Sequence, residues 1–184
     1  MYFINESILS SDTGTVTFSS IPQNFTHLQL RCFVRGASAP GSPTSLGSIY
    51  VRFNGDGGTN YSNHDLYSDG GTAGVTNYTN DTVIRLSRCA PLANNTANYF
   101  GVGIFDIFDY TSATKHKTST PNGGCDTNHS ASGGGAIVFG SGCWRNTAAI
   151  NSITIFTDGN LVTGSRMSLY GLDSKNESNV WQPQ

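Results

Sequence analysis

The chain has 184 residues, of which 22 are glycine and only 12% are charged, about half the roughly 25% usual for a soluble domain. Ten Lys and Arg against twelve Asp and Glu leave a net charge of −2, which argues against a basic nucleic-acid-binding surface. The polar residues are mostly Ser, Thr, Asn and Gly, turn and strand formers rather than exposed helix formers, so a mainly helical fold is excluded as well.

Met1 to Glu6 carries no basic region and no apolar stretch of signal-peptide length, and no run of about 18 apolar residues follows anywhere, so neither a secretory address nor a membrane helix is expected. Residues 2–12 read as an N-terminal strand. From Thr15, TVTFSSI alternates, with Val16 and Phe18 on one face and hydroxyls on the other. HLQLRCFVRG, 27–36, puts Leu28, Leu30, Cys32 and Val34 inward and Gln29, Arg31, Phe33 and Arg35 outward. Ile49, Val51 and Phe53 repeat the pattern around Tyr50 and Arg52, and Ile84 and Leu86 alternate with Arg85 and Ser87. Residues 99–110, YFGVGIFDIFDY, are the most apolar stretch. Val102 and Ile104 are assigned inward, which leaves Phe105 and Ile107 on the outer face. Strands follow at 136–145, 150–156 and 165–172, the last with Met167 and Leu169 inward.

Gly- and Asn-rich segments separate these strands: GASAPGSPTSLG, NGDGGTN, DGGTAG, PNGGCDTN, SGGG and TDGN. They supply the positive-φ residues that turns require. Eight to ten short strands with no amphipathic helix predict an all-β fold, an antiparallel β-sandwich of jelly-roll type. One domain spans 1–172, and 173–184 forms a polar tail in which Val180 and Trp181 dock on a neighbouring surface or a partner. The expected core is Val16, Phe18, Leu28, Leu30, Val34, Ile49, Val51, Phe53, Ile84, Leu86, Val102, Ile104, Ile153, Ile155, Met167 and Leu169. Cys32, Cys89, Cys125 and Cys143 are widely spaced with no C-x-x-C pair, and read as free, mostly buried thiols.

Catalytic patterns are sparse. There is no G-x-S-x-G, no H-E-x-x-H, no phosphate-binding loop and no dinucleotide fingerprint. His64 and Asp65 are adjacent on a strand and so point to opposite faces, which prevents a base and its orienting acid from pairing. Asp106 and Asp109 fall on opposite faces too, unlike a hydrolase's paired carboxylates. Asn54 to Asn60 places oxygen ligands at alternate positions but lacks the closing Glu of a calcium loop, and reads as a tight hairpin turn. No enzyme activity, cofactor or metal is expected. Among the aromatics beside Gly-rich loops, Tyr61 and Tyr67, with His64 between them, are the candidate contacts to a glycan or receptor.

Four stretches carry a likeness: VTFSSIPQNFTHLQLRCFVRG (16–36), VRFNGDGGTNYSNHDL (51–66), GIFDIFDYTSATKHKTST (103–120) and GSGCWRNTAAINSITIFTDGNLVTGSRMSLYGL (140–172). Together they resemble a family of small, jelly-roll-like virion structural proteins of tailed bacteriophages, especially those of aquatic hosts such as cyanophages. The RFNGD turn, the WRN segment and the closing GSR-x-SLYG are its most specific parts. The resemblance implies a sandwich on the particle, assembled in the host cytoplasm, with no catalytic residues to carry over. The expected role is a capsid decoration or cement protein that binds the major capsid protein or other virion proteins, its arms being residues 2–12 and the tail. The alternative is a receptor- or glycan-binding module of a tail fibre or spike. Phe105, Ile107, Phe33 and Phe156 are the candidate subunit interface, and a closed homotrimer is the expected assembly.

Overall fold

The structure is a computed structural model that describes residues 1–37, 46–128 and 134–174. Loop residues 38–45, His129 and the tail from residue 175 with Val180 and Trp181 lie outside the described residues. Twelve strands run in order: β1 (Tyr2–Ile8), β2 (Val16–Phe18), β3 (Phe25–Val34), β4 (Leu46–Phe53), β5 (Tyr61–Ser68), β6 (Ala73–Asp81), β7 (Ile84–Pro91), β8 (Gly101–Ile107), β9 (Lys117–Asp126), β10 (Gly135–Trp144), β11 (Ile153–Thr157) and β12 (Arg166–Ser174). No helix occurs among the described residues.

The strands form two antiparallel sheets, one of eight strands ordered β1-β12-β3-β8-β9-β10-β5-β6 and one of four ordered β2-β11-β4-β7. The small sheet is built entirely from strands that are not consecutive in sequence, because the chain repeatedly crosses from one sheet to the other. That connectivity, around one buried core, makes a jelly-roll-like β-sandwich.

The two inner faces interdigitate as the alternation predicts. Leu28, Leu30 and Val34 of β3, Ile49, Val51 and Phe53 of β4, Ile84 and Leu86 of β7, Ile153 and Ile155 of β11, and Met167 and Leu169 of β12 are all buried. Arg31 and Arg166 lie opposite them on the outer face, exposed. A slip of one residue in any of these strands would exchange the two sets.

Strand β8 reverses its expected orientation. Phe105 and Ile107 are fully buried, while Val102 and Ile104 are exposed. The cause lies in the glycines that share the Phe105 face. A Cβ on Gly103 would come within 2.8 Å of Ile49 Cδ1 and 3.0 Å of Leu86 Cδ2, so the small sheet's side chains already occupy that space. The inner face of β8 therefore alternates nothing, nothing, ring, branched chain, and fits beneath Ile49 and Leu86. Phe105 and Ile107 are core residues and not part of a subunit interface.

Two cations are buried as well. Arg35, assigned to the outer face, lies past the end of β3 and is 8% exposed. Its guanidinium donates to the carbonyls of Leu92, Ala93, Asn95, Thr96 and Tyr99 at 2.7–3.3 Å. It holds the loop between β7 and β8 with no counter-ion among the described residues, and burial pushes its pKa down. Lys117 is fully buried and its Nζ donates to the carbonyls of Ser112, Lys115 and Thr147 at 2.8–3.0 Å. Each cation thus satisfies carbonyls that a loop cannot pair for itself.

Candidate functional site

The segment read as a hairpin turn is a turn between sheets. Asn54 and Gly55 both have positive φ, 52° and 67°, and Asp56 N donates to Phe53 O at 2.9 Å, closing the Asn-Gly turn that such dihedrals define. It carries the chain from β4 in the small sheet to β5 in the large one. The Asp56 carboxylate then accepts from Trp144 Nε1 at 2.8 Å, Asn60 Nδ2 at 2.9 Å and Gly58 N at 2.9 Å. These donors hold its pKa below the ordinary value, the Trp144 indole foremost. Asn54 Oδ1 accepts from the backbone of Asn151 and Ser152, and Arg145 donates to the carbonyls of Thr59 and Tyr61. The side-chain oxygens of Asn54 and Asp56 that resembled ligands are therefore engaged in fastening the loop, and it is a structural knot.

The three candidate glycan contacts do not form a platform. Tyr61 is fully buried, its ring stacked on Trp144 at 6.2 Å and its hydroxyl bonded to Phe53 N. Tyr67 is half-buried beneath the Arg88 guanidinium, 4.2 Å from the ring centroid. His64 alone is exposed, on the outer face of β5. Asp65 points inward, on the face opposite His64. It accepts a 2.6 Å hydrogen bond from Ser87 Oγ, its other oxygen has no partner, and burial raises its pKa. No group of three or more His, Cys, Asp or Glu that could hold a metal occurs among the described residues.

The feature that stands out chemically is the outer face of the large sheet. Register places its outward residues in rows that cross the strands. One row runs Phe33, Val102, Gly124, Ile137, Ser68, Ala73 from β3 to β6; the next runs Arg31, Ile104, Asn122, Phe139, Leu66, Val75. Phe33, Val102, Ile104, Ile137, Phe139, Leu66 and Val75 are 38% to 76% exposed. They form two ridges, one on β3 and β8 and one on β10, β5 and β6, separated by a low strip on β9 where only Gly124 and Asn122 stand. A hollow of about 180 Å³ lined by Leu66, Tyr67, Ser68, Ala73, Ile137 and Phe139 opens in the second ridge.

The interface residues expected from sequence divide accordingly. Phe33 belongs to this face, 46% exposed and stacked on Phe100 at 4.9 Å. Phe156 is half-buried on the outer face of the small sheet, against Tyr50 and under Arg52, away from the patch. Leu66, Val75, Ile137 and Phe139 were missed because β5 and β6 invert the usual rule. Asn63 and Asp65 point inward and Leu66 outward, so hydrophobicity alone does not mark the inner face. The legible signal was Ile137 and Phe139 flanking Val138, apolar on both sides.

No protein-family model, curated protein or solved structure matches this chain.

Proposed function

We propose that this protein is a non-enzymatic structural component of a tailed-bacteriophage virion, in the first place a decoration or cement protein on the head surface. The observation that carries the proposal is the broad, charge-poor apolar face on the outside of the large sheet, which suits a part whose work is to be held against other proteins. Likeness to phage structural proteins in the RFNGD, WRN and GSR-x-SLYG segments supports the same reading. The partners are the major capsid protein or neighbouring virion proteins. Strand β1, which lies at the sheet edge with Phe3 and Ile8 exposed, is the proposed arm toward them. Particles assembled without the protein should lose resistance to heat and low salt, and images of complete particles should place its density between capsid subunits. Unchanged particle stability in its absence, or density confined to the tail, would overturn the head assignment.

A further inference from the structure

We propose that two copies of this chain pair face to face through the outer surface of the large sheet, the ridge of one copy seated in the β9 trough of the other. The inference rests on the same outer face as the proposed function and assigns that face to a second copy, leaving the β1 edge for other virion proteins.

Size is the first argument. The seven apolar side chains expose on the order of 600 Å² per copy, at the upper end of what a monomer leaves uncovered. Two copies in contact would remove about 1,200 Å² of it before any polar border is counted, which reaches the range of specific interfaces. Charge is the second. No charged side chain stands between Val102 and Val75 on the two apolar rows. Toward β1 the border carries two acids and two arginines that satisfy one another: Arg166 pairs with Glu6 at 2.6 Å, and Arg31 reaches Gln29, which in turn donates to Asp106. On that border a second identical copy meets no uncompensated like charge, and at the end of β9 the exposed Asp126 lies beyond the Gly124 row, its Oδ1 accepting from Asn128 N at 2.7 Å.

Shape decides between two copies and three. The patch spans six neighbouring strands, β3 to β6, about 24 Å at the usual strand spacing. If three such faces enclosed an axis, the middle of each would stand about 7 Å from it, whereas side chains of packed sheets fill about 5 Å each. The largest residues would have to lie mid-face to close that gap. Mid-face is where Gly124 and Asn122 are, with the large residues on both flanks. Two faces packed about 10 Å apart with a two-fold axis between them suit this profile, since each trough receives the opposing ridge. The homotrimer expected from sequence joined Phe105, Ile107, Phe33 and Phe156 in one interface, but Phe105 and Ile107 are core residues and Phe156 lies on the small sheet, which leaves only Phe33 on this face.

Sedimentation of the full-length protein from low to about 100 µM tests this. The expected result is a species of twice 19.6 kDa, dissociating on dilution. Phe139→Asp and Val102→Asp should each raise the dissociation constant tenfold or more with the circular dichroism spectrum unchanged. Val75→Lys, on the edge strand where the side chain is 76% exposed, gives the same reading should either of those fail to fold. Asn122→Trp separates trough packing from general stickiness. It adds apolar surface but fills the trough, so pairing should weaken. A monomer at every concentration, a trimer, a dimer indifferent to Phe139→Asp, or tighter pairing in Asn122→Trp would each overturn the proposal.

Discussion

Strand β8 offers the sharpest test of the fold, because Phe105 and Ile104 are neighbours in sequence with opposite fates. Truncating Phe105, which is fully buried, removes a ring whose transfer from water is worth about 2–3 kcal/mol. The space left, on the order of 80 Å³, adds about 2 kcal/mol where the surroundings do not collapse. Collapse is hindered here, since Phe105 packs beside Gly103 beneath Ile49 and Leu86. Phe105→Ala should therefore cost about 4 kcal/mol, a large part of the 5–15 kcal/mol by which a domain is stable. Ile104→Ala, on the exposed face, should cost about 1 kcal/mol or less. Urea unfolding followed by tryptophan fluorescence, at sub-micromolar protein so that association between copies plays no part, measures both. With an m-value of about 2 kcal/mol/M, the Phe105→Ala midpoint should fall by about 2 M and that of Ile104→Ala by under about 0.5 M. Equal losses, or the larger loss at Ile104, would refute the orientation of β8 and with it the outer face described above.

Other consequences can be checked with equally simple means. Arg35→Lys keeps the charge but cannot reach five carbonyls, so it should cost about 2–4 kcal/mol and speed proteolysis within residues 92–100. All four cysteines are free, and burial pushes the Cys32 and Cys89 thiols up. A thiol reagent should accordingly modify half-buried Cys143 in the native protein and reach Cys32 and Cys89 only in denaturant; rapid native labelling of Cys32 would contradict the fold. Burial raises the Asp65 carboxyl above its ordinary value of 3.8, so the stability it contributes is present below that value and is lost as pH rises through the raised one. The melting temperature of Asp65→Asn should thus gain on that of the parent protein as pH goes from 4 to 7, and a constant difference would show that Asp65 does not titrate in the core.

Where strands were read correctly, charge had marked the outside. Arg31, Arg52, Arg85 and Arg166 each interrupt an apolar series at alternate positions, and burying any of them unpaired would be prohibitive. That criterion was also available in β8, where Asp106 shares a face with Val102 and Ile104, but the bulk of Val102 and Ile104 outweighed it. The glycines were the harder signal. In β8 and at Gly123 of β9 they are spaces left for the opposite sheet, and PNGGCDTN, which has the composition of a turn, is largely β9. A Cβ on Gly123 would lie 2.2 Å from Val102 O and 2.8 Å from Leu86 Cδ2, so the strand requires a residue with no side chain there. Arg35 could not have been placed from its alternation, since its partners are five carbonyls of a loop almost sixty residues further on. The outer patch was legible only in part. It depends on β10 pairing with both β9 and β5, and long-range pairing leaves no trace in local periodicity.

The RFNGD, WRN and GSR-x-SLYG segments have a structural role that can be read from their contacts. RFNGD and WRN lie some ninety residues apart in sequence and meet at one end of the sandwich, where Asp56 receives the Trp144 indole, Asn54 receives the backbone of Asn151 and Ser152, and Arg145 reaches back to Thr59 and Tyr61. GSR-x-SLYG supplies β12, whose Arg166 and Ser168 both donate to Glu6 and so fix the β1 edge. In this chain these residues lock the two sheets and the N-terminal strand together. Phe33, Ile137, Phe139, Leu66 and Val75 could change without disturbing any of these fasteners. On the broad sheet those side chains stand free of the core, and pairing geometry alone sets their arrangement.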